Sequence, residues 1–139
     1  MIEIHYETQF KLENESKFTD WITRIIESEN CHPGRLTYIF CDDTYLLHLN
    51  QKFLSHDTYT DIISFDYSEG NDISGDVFIS IDRVRENSAQ LNTEFLIELL
   101  RVMSHGVLHL LGYKDKSKEE RMEMRAKENE KMKMFHVEQ

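Results

Sequence analysis

The segment from Thr93 to Leu111 is apolar around almost its whole circumference when it is drawn as a helix. A helix of this kind is buried in the centre of a protein rather than laid on its surface. Gly112 follows directly and is well suited to end a helix, because glycine enters the left-handed conformation without a Cβ penalty. The segment therefore predicts a buried central helix around which the other elements pack.

The polar residues of this helix are not scattered along it. They follow one another at steps of four, three, four and four residues: Glu94, Glu98, Arg101, His105 and His109. At about 3.6 residues per turn, this spacing places them on one narrow stripe. The stripe is either the wall of a cleft or an ordinary solvated face.

His105 and His109 are one helical turn apart, so both imidazoles can bind one zinc ion. Zinc proteases use the same pair and need a glutamate directly after the first histidine as general base. Position 106 is glycine, which excludes that mechanism. Asp115 offers a carboxylate as third ligand, and its alternative role is the N-cap of the next helix. His136, near the charged C-terminus, is a weaker rival ligand.

The remaining elements follow from hydrophobic periodicity and turn residues. Strands are predicted at residues 2–6, 36–41, 60–66 and 75–81, and helices at 15–29, 44–53, 82–90 and 117–134. The tripeptide His32-Pro33-Gly34 is expected to break the chain, and residues 68–72 to form a turn. This order predicts an α/β (or α+β) fold, a mixed four-stranded sheet with packed helices, in a single domain spanning residues 1–139.

The net charge of the chain is −10, from 16 basic and 26 acidic residues. Nucleic-acid-binding proteins usually carry a basic excess, because neutralising phosphates releases counterions. Any nucleic-acid contact therefore has to use a local patch, a metal ion or a protein partner. We expect no membrane span and no signal peptide. Cys31 and Cys41 form no CxxC pair, which favours a reducing cytoplasm.

The stretch around the two histidines resembles a motif of the YbeY family, HGxLHLxGYDH. It reads His105-Gly106-Val107-Leu108-His109-Leu110-Leu111-Gly112-Tyr113. Two further blocks occur in the expected order. Leu49-Asn50, Asp57 and residues 60–65 resemble the LN…D..TDVLSF block, and residues 75–79 resemble the GDI.I strand. The resemblance covers about residues 36 to 125.

Members of this family are metal-dependent endoribonucleases of bacteria, linked to ribosomal RNA maturation and ribosome quality control. The resemblance implies one zinc ion per chain and ribosomal RNA as the partner, cut within single strands near the 3′ end of the small-subunit RNA. Ribosomal proteins or assembly factors are further expected partners. The polar residues of the third and fourth strands are expected to shape the substrate cleft, with structural roles as the alternative: Thr60, Asp61, Ser64 and Asp76.

The first departure from the family pattern is Asp115, which stands where the family has a third histidine. Two neutral histidines and one carboxylate leave the site one charge less positive than three histidines. We therefore expect a less acidic bound water, or a shift of metal preference toward manganese.

The second departure is Leu54, which with Phe53 replaces an RNA-facing arginine, while His56 stands where the family often has lysine. Five basic residues are possible substitutes: Lys52, Arg35, Arg83, Arg101 and Lys114. Arg101 is the best placed and the only catalytic candidate, with a salt bridge to Glu98 or Glu94 as its alternative role. No general base is identifiable.

The sequence is also compatible with two other functions. The protein is then a ribosome-associated assembly factor with a structural zinc, or a metallohydrolase of another substrate. Three plausible ligands without a clear fourth favour a catalytic site, because structural zinc sites use four. The charged C-terminal helix is expected to be mostly solvated, with a thin apolar seam. Its alternative role is a partner-binding surface. The helix carries four methionines: Met122, Met124, Met132 and Met134.

Overall fold

A four-stranded mixed sheet forms the frame of the protein, in a computed structural model that describes residues 1–54 and 60–136. Its strands are β1 (Ile2–Tyr6), β2 (His32–Cys41), β3 (Ile62–Asp66) and β4 (Asp72–Ser80). Their spatial order is β1-β2-β4-β3; β2 pairs in parallel with β1 and β4, and β3 pairs antiparallel with β4. The predicted mixed sheet with one hairpin is confirmed, and β3 lies at an edge. His56 and Asp57 lie outside the described residues.

Five α-helices surround this sheet in the described residues: α1 (Glu15–Ser28), α2 (Asp43–Leu54), α3 (Ile81–Gln90), α4 (Phe95–Leu110) and α5 (Lys118–Lys133). A 3₁₀ turn, Met134–His136, follows α5. The predicted break at residues 32–34 is wrong, because β2 already begins at His32. A register shift between Pro33 and Leu36 accommodates the proline within the strand, as bulges do in other sheets.

The two faces of the sheet carry different cores. On one face α1 and α4 bury the larger cluster, which includes Trp21, Tyr38 and Val77. The hydroxyl of Tyr38 donates to the carbonyl of Met103 over 2.7 Å, so its single polar atom is satisfied inside this core. On the other face α2 places Leu46 in a smaller cluster with residues of β2 and β3.

Helix α4 lies unusually close to the sheet at Gly106. A Cβ atom at this position would be 2.8 Å from Cγ1 of Val77 and 3.0 Å from Cδ1 of Ile62. The glycine is therefore required by packing, and it faces the sheet. The predicted central helix is confirmed, since α4 buries residues along most of its length.

Helix α5 is docked on the protein rather than solvated on all sides. Its buried residues are Met124, Glu128 and Lys131, whereas Met122 is 64% exposed. The indole N–H of Trp21 donates to the carbonyl of Lys131 over 2.8 Å. The expected methionine seam is thus only partly correct, because two buried charged residues hold the helix. In the described part of the chain, no helix has the length and apolarity needed to span a membrane.

Candidate metal centre and cleft

The end of α4 folds the chain back over its own histidines. Gly112 has a φ of 106°, its N–H donates to the carbonyl of His109 over 3.0 Å, and the N–H of Tyr113 donates to Leu108 over 3.0 Å. These two bonds form a Schellman motif, which reverses the chain direction after a helix. The reversal brings Asp115 back to the helix.

Three donor atoms converge at this point. One carboxylate oxygen of Asp115, Oδ2, lies 3.2 Å from Nε2 of His105 and 3.2 Å from Nε2 of His109. The three ligand atoms lie within 4.8 Å of one another, and the residues are half-buried. The structure thus brings together the three residues predicted as metal ligands. Asp115 is not a helix N-cap, because Ser117 caps α5 in a capping box with Glu120.

Hydrogen bonds to the other ring nitrogens point both Nε2 atoms at Asp115. Nδ1 of His109 lies 3.0 Å from the carbonyl of Tyr113, which can only accept, so Nδ1 carries the proton. Nδ1 of His105 lies 2.7 Å from a carboxylate oxygen of Glu128. In the neutral rings both Nε2 lone pairs are then free, which is the arrangement seen for metal-binding histidines. Two imidazole nitrogens and a carboxylate suit a zinc-like ion.

Glu128 connects His105 to Arg101. It is 5% exposed and accepts from Nη1 of Arg101 over 2.9 Å, while Nη2 of Arg101 donates to Asn129 over 3.0 Å. The prediction that Arg101 pairs with Glu98 or Glu94 is wrong, because α5 supplies closer acceptors. Burial alone would raise the pKa of Glu128, but its bonds to His105 and Arg101 hold that pKa below the usual value.

The loop that carries Asp115 is held from its other side. The hydroxyl of Tyr113 donates to Glu29 over 2.7 Å, and Nζ of Lys131 donates to the same carboxylate over 2.8 Å. Burial would raise the pKa of Glu29, yet its bonds with Lys131, Tyr113 and Lys127 lower it. Because the carbonyl of Tyr113 orients His109, this anchor also fixes the metal-facing ring.

The three donors lie in a cleft with a volume of about 980 Å³, between β3, α4 and α5. Of the predicted cleft residues, Thr60, Asp61 and Ser64 line it. Asp76 does not, since it alternates with Val77 along β4 and Val77 faces α4. Asp76 lies within the predicted strand, where it pairs with Phe65, so its alternative, structural role fits the structure.

The other basic candidates lie away from the cleft. Arg83 binds Asp43 and Glu86, and the ammonium group of Lys52 lies over the ring of Phe53. Among the cleft-lining residues in the described ranges, neither of these two appears, nor do Arg35 and Lys114. His136 is also outside the donor cluster.

Four charged lining residues were not identified from the sequence: Lys116, Arg121, Arg125 and Glu128. All come from α5 or the turn before it. The available signal was the four-residue spacing of Arg121 and Arg125, which sets them on one helical face. This spacing alone does not distinguish a cleft wall from a solvated face, because a charged helix usually faces solvent.

Two carboxyl groups of the cleft have raised pKa values. Burial raises the pKa of Asp61, and burial together with the nearby Asp61 raises that of Glu98, which is 6% exposed. For His105, burial alone would lower the pKa, but the bond to Glu128 and the neighbouring carboxylates raise it. Perturbed carboxyl groups beside a donor cluster are typical of catalytic clefts.

Fold and site together define a class of protein, an α/β protein with a candidate three-donor metal centre in an open cleft. Comparison with known proteins narrows this class. The family model described as Endoribonuclease YbeY matches residues 2–136. The chain belongs to the YbeY family of endoribonucleases.

Individual relatives agree with this assignment. The Endoribonuclease YbeY of Flavobacterium johnsoniae is 55% identical over 139 residues, 100% of both chains. That of Flavobacterium psychrophilum is 54% identical over 139 residues, covering 100% of this chain and 99% of the relative. A solution structure from Thermotoga maritima matches with a TM-score of 0.71 and 27% identity, covering 97% of this chain and 89% of that one.

Proposed function

We propose that this protein is a zinc-dependent endoribonuclease that cuts single-stranded RNA during ribosomal RNA maturation, at the 3′ end of the small-subunit RNA, and in ribosome quality control. Relatives that cover the whole chain carry the name Endoribonuclease YbeY. The observation that carries the proposal is the convergence of His105, His109 and Asp115 in an open cleft of about 980 Å³. Ribosomal RNA is the proposed partner, with ribosomal proteins or assembly factors beside it, in the cytoplasm, where its two free cysteines stay reduced.

The donor set supports a catalytic rather than a structural zinc. Structural sites use four protein ligands, whereas catalytic sites use three and keep one position open. Within the described ranges the donor group consists of three residues. When bound there, a zinc ion supplies Lewis-acid activation of water and of the phosphodiester.

The residues of the chain have separate roles in this proposal. His105 and His109 bind through Nε2 because Glu128 and the carbonyl of Tyr113 accept from their Nδ1 protons. Asp61 and Glu98, with their raised pKa values, are the groups suited to accept or hold a proton in the cleft. Arg101 is a positioning residue, since its guanidinium holds Glu128.

Metal removal tests the proposed function. We expect the protein treated with a chelator to lose cleavage of single-stranded oligoribonucleotides and to regain it when zinc is returned, while a duplex of the same sequence stays intact throughout. The measurement is gel analysis of labelled RNA together with metal analysis of the purified protein. Unchanged cleavage after the metal is removed would contradict a metal-dependent nuclease.

Replacing Glu128 tests its role beside His105. Because loss of a residue that orients a metal-binding histidine typically costs about 10–100-fold in metal affinity, we expect Glu128→Ala to weaken zinc binding by that factor. Glu128→Gln should recover part of the loss, since its amide oxygen still accepts from Nδ1. Competition with a chromophoric chelator measures the affinity, and Glu123→Gln on the same helix is the control. A zinc affinity of Glu128→Ala equal to that of wild type would contradict the orienting role of Glu128.

A further inference from the structure

Positive charge in the cleft is concentrated on the side formed by α5. Arg121 and Arg125, one helical turn apart, line the cleft together with Lys116 from the preceding turn, and all three are exposed. We call these three residues the α5 wall. They lie along the same cleft as the donor cluster.

The opposite side of the cleft carries little charge. It is formed by α2, β3 and the two residues before β3. Apart from Asp61, its lining residues in the described ranges are neutral: Asn50, Leu54, Thr60, Ile62, Ile63 and Ser64. Cations on one side and apolar or hydroxyl groups on the other match a single nucleic-acid strand, which has charged phosphates along one edge and bases along the other.

Buried residues dock the part of α5 that carries the two arginines of the α5 wall. Met124, between the two arginines in sequence, is 2% exposed, and Glu128 in the next turn is 5% exposed. The guanidinium of Arg121 donates to the carbonyl of Lys116 over 2.6 Å, which orients it at the start of the helix. For Arg125, no hydrogen bond or ion pair occurs with any residue that the structure describes.

The neighbouring acids do not cancel this charge. Glu120 is engaged in the capping box, and Glu123 lines a separate pocket beside Tyr113. Within the cleft Glu128 is neutralised by Arg101 and also accepts from His105, and Asp115 faces both histidines. Asp61 and Glu98 remain, and both are deep in the cleft rather than on its rim. Arg125 attracts Glu98, but no ion pair between these two described residues forms. In a chain of net charge −10, a phosphate-binding surface has to be local.

We propose that the α5 wall binds the phosphates of a single RNA strand, holding it along the cleft with its bases toward β3. Arg101 is not available for this contact, because Glu128 and Asn129 occupy its guanidinium. The inference rests on the proposed function, since it names the groups that bind the RNA substrate. It assigns no base recognition, because phosphate contacts position a strand without reading its sequence.

Salt dependence of RNA binding tests this assignment. For single strands, each phosphate contact contributes about −0.7 to the slope of log K against log salt concentration. We expect the full-length double variant Arg121→Gln/Arg125→Gln to bind a labelled single-stranded oligoribonucleotide, kept intact by a chelator, with a slope shallower by about 1.4. Arg121→Lys/Arg125→Lys should restore the slope, because the charge is retained.

The matched control is Lys118→Gln/Lys133→Gln, which removes the same charge from exposed positions of α5 outside the cleft. An arginine variant with the wild-type slope, or a control with an equal loss, would overturn the assignment. If metal-loaded wild type still cleaves RNA in that case, the proposed function stands while the α5 wall is wrong. If wild type neither binds nor cleaves RNA, both fail.

Discussion

His109→Ala is expected to abolish RNA cleavage and to lower zinc affinity by more than about 100-fold, since even loss of an outer orienting residue costs roughly 10–100-fold. Nε2 of His109 lies 3.2 Å from Asp115, so the variant removes one of the three convergent donors. His109 also lies on the open side of α4 and is not part of the apolar core. We therefore expect the variant to fold normally, with a circular dichroism spectrum like that of wild type.

The matched control for this variant is His136→Ala. His136 is an exposed histidine outside the donor cluster, and it was the rival ligand from the sequence. Zinc titration and cleavage of a single-stranded oligoribonucleotide should both match wild type. If His136→Ala lost zinc while His109→Ala retained it, the ligand assignment would be wrong. Equal cleavage by wild type and His109→Ala would show that the activity comes from a contaminant.

Gly106→Glu is expected to destabilise the protein by at least about 3 kcal/mol, the sum of overpacking and an unpaired buried charge. It places the glutamate of the zinc-protease motif at its usual position. Here, however, the Cβ atom of the new glutamate would lie only 2.8 Å from Cγ1 of Val77. The side chain would therefore enter the core rather than reach the donors. We expect a lower midpoint in urea unfolding and no protease activity.

Two further variants separate the causes of this loss. Gly106→Ala adds only the Cβ atom and should cost less, because alanine is favoured in helices by about 1 kcal/mol over glycine. Ala126→Glu adds the same charge at an exposed position of α5 and should leave the unfolding midpoint nearly unchanged. Wild-type stability in Gly106→Glu would mean that α4 does not pack on the sheet as described.

The pattern of apolar and polar residues within α4 was enough to predict the helix that carries the site. The apolar circumference of α4 and its polar stripe predicted a buried helix with one open side, and Glu98, Arg101, His105 and His109 do line the cleft. Glu94 lies one turn further and is not among the described lining residues. The spacing of residues within one helix is set by backbone geometry alone, which is why these predictions held.

Contacts between distant elements could not be predicted in the same way. Glu128 reaches His105 across 23 residues, and nothing in the local sequence of α5 distinguishes it from the exposed glutamates around it. The same is true of the bond from Arg101 to Glu128, for which nearer acids on α4 were the natural expectation. Both contacts depend on how α5 docks, and that is decided by packing of the whole chain.

The docking of α5 also determines when the site is completed during synthesis of the chain. Trp21 bonds to the carbonyl of Lys131 across 110 residues, and its ring packs edge-on against Phe135. A ribosome releases the N-terminal part of a chain first. The nascent chain can therefore form its sheet early, yet its largest aromatic side chain and His105 lack their partners until the last helix has emerged. An endoribonuclease assembled in this order holds all three donor residues before α5 emerges, but it gains the bond that orients His105 only afterwards.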